Sequence, residues 1–212
     1  MTSVFITFEG GEGSGKSTQV KMLSAAFERI GKPCVVTREP GGTPSAELVR
    51  KLVVEGSKDA WLPESETLLF VAARMEHVKR LIQPSLMAGK TVICDRFYDS
   101  TCVYQGIGKG INELFISKLH SLCFDDFQPH LTFILDIEPE VGLKRAASRN
   151  NTETRFESMP DQFHVMVRQG FLDIARENKQ RCVVLDASQD KDALHKEILN
   201  VINKRFGVTI AA

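Results

Sequence analysis

Between a short apolar run and an amphipathic one lies GGEGSGKST, Gly10–Thr18. Its glycines are costly to order, because Gly loses more backbone freedom on folding than any other residue. The flanks indicate what that cost serves. Val4–Phe8 (VFITF) is β-branched and aromatic and reads as a buried strand. Lys16–Ile30 places Val20, Leu23, Ala26, Phe27 and Ile30 at helical spacing. A loop that joins strand to helix and fits G-x-x-x-x-G-K-[ST] through Gly10, Gly15, Lys16 and Ser17 is a phosphate-binding loop. Its N–H groups turn inward on an anion, and the helix N-terminus adds partial positive charge. Gly10, Gly11, Glu12, Gly13, Ser14, Gly15, Lys16, Ser17 and Thr18 are therefore expected around a nucleoside triphosphate. Lys16 would reach the β- and γ-phosphates, and the Ser17 hydroxyl would ligate Mg²⁺.

Outward from this loop the pattern repeats. Strand-like runs at Val4–Phe8, Cys34–Thr37, Thr91–Cys94, Leu131–Leu135 and Cys182–Leu185 are apolar on both parities, as in strands buried on both faces. Helical patterns fill the gaps at 16–30, 44–54, 64–88, 111–124, 139–149, 157–179 and 190–206. The alternation predicts an α/β fold: three layers, a five-stranded parallel sheet with helices on both faces, in one domain over 1–212. Acidic and basic residues balance at 27 each in 212 residues, so no net field favours nucleic acid or a membrane surface. The five cysteines are odd in number, lack a CxxC and suit reduced thiols. With no apolar run near 18 residues and no basic leader, a soluble cytoplasmic protein is expected.

In open α/β sheets ligands bind beyond the carboxyl ends of the strands. There the chain places REPGGT (Arg38–Thr43), DRFYDST (Asp95–Thr101), DIEPEVGLKRAASR (Asp136–Arg149) and DASQD (Asp186–Asp190). Arg38 and Arg96 each follow a strand, and two guanidiniums beyond what the triphosphate needs suggest a second phosphate. Asp95 ends TVICD and would hold Mg²⁺ with Ser17, though a pairing with Lys16 or Arg96 is an alternative. Phe70 and Arg74, at i and i+4, share a helix face and could stack on a flat base and donate to its edge.

GGEGSGKST, REPGGT, LLFVAAR (Leu68–Arg74), DRFYDSTCVYQG (Asp95–Gly106), GLKRAASR with RFE after it, and DASQ occur in this order. Taken together the chain resembles the bacterial thymidylate kinases over nearly its whole length. The resemblance implies a P-loop kinase that transfers the γ-phosphoryl group of ATP to dTMP with Mg²⁺. It implies that Glu12 lies near the acceptor sugar and that Arg38 and Arg96 grip the dTMP phosphate. Phe70 would stack on thymine, Arg74 donate to its O4, Thr101 and Gln105 face the base edge, and Tyr104 sit under the deoxyribose. Pro40 and Ser100 join the same acceptor site. A lid segment at about 142–157 would bring catalytic Arg149, with Arg145 and Arg155 near it, and the Gln189 region would flank adenine. The resemblance also implies a homodimer and a cis Glu39–Pro40 bond, for which the tight REPGG turn gives a motive. A regulatory GTP-binding switch fits poorly, since N-K-x-D is absent and Asp95 is followed by Arg-Phe-Tyr. A kinase for another nucleoside monophosphate or for a deoxynucleoside is the nearer alternative.

Overall fold

The computed structural model describes residues 3–32, 34–55, 57, 59–148 and 155–210. β1 (Phe5–Glu9) leads through the glycine loop into α1 (Lys16–Arg29), and β2 (Cys34–Arg38) follows. α2 (Pro44–Val54) starts at Thr43, whose side chain caps Ala46 N, with Pro44 in the first turn. α3 (Pro63–His77) runs through a wide i→i−5 turn, Val78–Ile82, into α4 (Gln83–Met87). After β3 (Thr91–Asp95) comes α5 (Tyr98–Thr101), extended by a second wide turn, Cys102–Ile107. The chain then runs through α6 (Glu113–Phe124), β4 (Leu131–Asp136), α7 (Pro139–Ala147), α8 (Asp161–Glu177), β5 (Cys182–Asp186) and α9 (Lys191–Phe206).

All strand pairs are parallel, in the order β2-β3-β1-β4-β5. Phe8, Phe133, Leu23, Phe27 and Ile198 pack one face of the sheet against α1 and α9. Phe5, Val92, Phe97, Val71 and Phe124 pack the other against α3 and α6, and Ile134 meets Val103 of the second wide turn and Phe163 and Phe171 of α8. These large side chains are shut off from water, and each contributes about 1.5–3 kcal/mol on burial.

Three local expectations change. The edge strands β2 and β5 are half exposed, Val36 at 46% and Val184 at 42%, because each has a neighbour on one side only. The 64–88 pattern is not one regular helix. Pro84 has no N–H for the carbonyl of residue 80, and the ladder widens just before it, with Gln83 N–H donating to Val78 O. The segment after β3, to which the sequence pattern assigned no helix, is helical from Tyr98 to Ile107.

Candidate active site

The register of the sheet assembles the site. Arg38 pairs with Asp95 and Phe8 with Asp95, so the ends of β1, β2 and β3 lie side by side. The glycine loop curls above them. Gly13 has φ 67°, and a Cβ there would lie 1.9 Å from Gly142 O of α7, so the loop rests on the helix backbone and only glycine fits. Lys16 is buried and folds back on its own loop, donating to Gly11 O at 2.7 Å, Gly10 O at 3.1 Å and Ser14 Oγ at 3.2 Å. Burial, then the Arg96 charge, pushes its ammonium down to about 8, against the pull of Glu12, Asp95 and Glu9. Ser17 Oγ donates to Asp95 Oδ2 at 2.5 Å at the loop's open side. A hydroxyl and a carboxylate there are hard oxygen donors that suit Mg²⁺, which takes one or two protein oxygens beside phosphates and water.

Arg96 has φ 71°, a left-handed conformation uncommon outside glycine. It turns the side chain under the loop. Nη1 donates to Gly10 O at 3.0 Å and Ser100 Oγ at 3.1 Å, and Nη2 to Glu12 Oε1 at 2.9 Å and Tyr104 OH at 3.1 Å. Tyr104 in turn donates to Glu12 Oε1 at 2.8 Å, so one loop carboxylate gathers both groups. Burial works to raise the Glu12 carboxyl, but Arg96, Lys16 and the Tyr104 hydroxyl outweigh it and hold it below its ordinary value. Beneath lies Glu9, which the sequence reading passed over. It accepts from Phe97 N at 2.7 Å and Ser100 Oγ at 2.6 Å. Burial and the Asp99 charge push it up to about 8.

Arg74 is almost wholly buried on α3. Nε donates to Glu39 Oε2 at 2.7 Å, and Nη2 to Thr101 Oγ1 at 2.8 Å and Phe97 O at 3.2 Å. His77 Nδ1 donates to the other Glu39 oxygen at 2.9 Å. The network sits beneath the REPGG turn, where Glu39–Pro40 is cis, as expected. Arg38 is exposed and pairs with Glu47 at 3.2 Å.

A cleft of about 410 Å³ joins these groups. Glu12, Gly13, Lys16, Ser17 and Asp95 line its loop end, then Arg38, Pro40, Arg96, Ser100 and Tyr104, then Phe70, Arg74, Thr101 and Gln105. Arg50 and Phe156 also line it without having been singled out from sequence. Arg50 donates to Pro40 O at 2.7 Å. It carries no local motif, so only the fold reveals it.

The remaining arginines separate. Arg145 donates to Ala187 O at 2.9 Å and Ser188 O at 3.4 Å, beside Gln189, so it spans from α7 to the loop after β5. Gln189 Nε2 donates to Asp186 O at 2.8 Å. Arg149 and residues 150–154 of the expected lid lie outside the described residues. Arg155 departs from the expectation of a lid residue over the phosphates. It is buried against Glu66 at 2.5 Å and donates to Val53 O at 2.7 Å and Ser57 O at 2.9 Å. The buried Glu66 carboxylate needs cations, and Arg155 is one of them.

The family model for thymidylate kinase matches residues 8–198. The thymidylate kinase of Ruegeria pomeroyi is 45% identical over 201 residues, covering 95% of each chain. That of Caulobacter vibrioides is 47% identical over 204 residues, covering 96% of this chain and 98% of its own. The crystal structure of thymidylate kinase from Ehrlichia chaffeensis superposes with a TM-score of 0.77 at 39% identity, covering 95% of this chain and 99% of that one. With its glycine loop, Arg38, Arg96 and Arg74 along one cleft, the chain belongs to the thymidylate kinase family.

Proposed function

We propose that this protein transfers the γ-phosphoryl group of ATP to dTMP, giving dTDP and ADP, with Mg²⁺. The observation that carries the reading is the continuity of the cleft from the phosphate loop past Arg38 and Arg96 to Phe70, Arg74 and Gln105. That order of side chains suits a donor phosphate, an acceptor phosphate and a flat base in turn.

No general base is needed, because a phosphate monoester's second pKa is about 6 and its oxygen is mostly anionic at neutral pH. The task is to bring anions together and neutralise shifting charge, which is positioning and electrostatics. Lys16 leaves its loop carbonyls for the β- and γ-phosphates. Arg96, already aimed by Glu12, and Arg38, free to swing from the surface, hold the acceptor. Ser17 and Asp95 would hold Mg²⁺, which when bound would neutralise phosphate charge. The role of neutralising charge on the side away from the loop falls to Arg149 by family resemblance, and Arg145 with Gln189 borders the adenine end. Phe70 stacks on thymine, Tyr104 carries the deoxyribose, and Arg74 donates to O4.

The protein acts in the cytoplasm as a homodimer. No helix among the described residues is long and apolar enough to cross a membrane. All five cysteines are free thiols. Leu48 and Leu52 on α2, Leu68 on α3 and Leu122 on α6 are exposed apolar side chains of the kind a second copy would cover. The functional test is ADP release with Mg-ATP and a panel of monophosphates. Arg can donate but not accept, so the amino group of cytosine opposes Arg74 where thymine offers O4. Comparable kcat/KM for dCMP and dTMP refutes the reading of the base pocket.

A further inference from the structure

Gln105 carries an acceptor at one end of its amide and donors at the other. Which end meets a ligand is decided behind it. Nε2 donates to Glu66 Oε1 at 3.0 Å, and Glu66 has no exposed surface. The same carboxylate receives Lys109 Nζ at 2.8 Å on Oε1 and Arg155 Nη1 at 2.5 Å on Oε2. Facing two cations, Glu66 offers Gln105 lone pairs only. A reversed amide would set Oε1 against a buried carboxylate oxygen, acceptor on acceptor, and leave both without a donor. Gln105 lines the cleft, and its Oε1 has no hydrogen-bond partner among the described residues.

We propose that Glu66 is a positioning residue for base selection. Held by Lys109 and Arg155, it fixes the Gln105 amide with Oε1 toward the ligand. The site then accepts a base with an N–H at ring position 3 and opposes one with a lone pair there. This rests on the reading of the cleft as the dTMP site. It also gives Arg155 and Lys109 a role in the acceptor pocket: both guard the orientation of an amide that neither needs to touch. Thymine's carbonyl and N–H then meet a donor on Arg74 and an acceptor on Gln105, whereas cytosine mismatches both.

Glu66→Gln tests the proposal. An amide at this place has one oxygen, which the two cations retain, so its NH₂ faces Gln105 and turns that residue's Nε2 to the ligand. The ratio of kcat/KM for dTMP over dCMP is expected to narrow by roughly tenfold or more, the effect of mispairing one buried polar group. The exchange Glu66→Gln with Gln105→Glu keeps the charge and restores an acceptor on both sides. It is expected to return the ratio to within roughly threefold of wild type. On the unaltered protein, dTMP methylated at N3 is expected to bind roughly tenfold or more weakly than dTMP. Equal binding of the methylated ligand overturns the proposal even if Glu66→Gln does not fold. So does an unchanged ratio in a folded Glu66→Gln protein, or an unrecovered ratio in a folded exchange protein. A wild-type protein that ignores dTMP refutes instead the functional reading on which the proposal stands.

Discussion

Arg74→Met removes the cation that faces Glu39 and leaves most of the side-chain stem in place. Arg74 and Glu39 keep side-chain exposures of 2% and 4%, with Nε and Oε2 2.7 Å apart. The variant leaves the Glu39 carboxylate a single partner among the described residues, His77 at 2.9 Å, and removes the Arg74 donor from Thr101 Oγ1 and Phe97 O. Removing one member of a buried pair costs about 3–5 kcal/mol, because the other charge stays buried. Domains of this kind hold only about 5–15 kcal/mol in total. Glu39→Gln in the Arg74→Met background removes the orphaned charge and is expected to recover about half of the loss. Urea denaturation of the four proteins in a double-mutant cycle measures both terms.

The pH dependence has a fixed sign. Burial acts to raise the Glu39 carboxyl, but Arg74 and His77 outweigh it and hold it below its ordinary value. A carboxylate depressed in the folded state stabilises fully above its unfolded pKa of about 4.3. That contribution fades as pH falls through the folded value. The gap between wild type and Arg74→Met must therefore shrink in acid. A loss under about 1 kcal/mol at neutral pH, or a gap that stays constant into acid, refutes the assignment of Arg74–Glu39 as an ionic pair that holds the REPGG turn.

Lys16→Ala is expected to abolish turnover with a modest loss of dTMP binding; near-normal turnover in steady-state assays removes the loop from the mechanism. Because the Lys16 ammonium lies near 8 before ligand arrives, Mg-ATP binding at about pH 8.5 should take up protons as phosphates raise it again. Calorimetry in two buffers of different ionisation enthalpy reads this, and uptake undiminished in Lys16→Ala counts against it. Arg149→Ala is expected to lower kcat by roughly 10³-fold or more with KM for dTMP within a few-fold. Arg155→Ala, by contrast, is expected to lose stability, measured as Tm; if it loses kcat at unchanged Tm, Arg155 belongs over the phosphates after all.

The phosphate loop and the strand ends were legible in the sequence because each depends on neighbours in the chain. Glycines at fixed offsets, a strand before and a helix after are local signals, and the register then brings Asp95 and Arg38 to the loop. The wide turn at Cys102–Ile107 was not legible. Val103 and Gly106 give a weak helical pattern, and the segment is held by packing against α8 through Phe163, Val167 and Phe171. The half-exposed faces of β2 and β5 were missed for a related reason. An apolar strand reads the same at the edge of a sheet as at its centre until the strand order is known.

Arginine partners show where local reading stops. The sequence places Arg145, Arg149 and Arg155 in one basic stretch and so in one role. In the fold Arg145 reaches the loop after β5, while Arg155 turns inward to Glu66 on α3. Nothing near Arg155 in the chain names Glu66. The pairing exists because α3 brings a carboxylate into a space where Gln105, Lys109 and Phe156 also meet, and a buried carboxylate must be met by donors. An arginine pulled to that place cannot at the same time cover a phosphate. Two arginines within the expected lid therefore part company, Arg145 tying the end of α7 to the loop after β5 and Arg155 fixing the far end of the segment to α3.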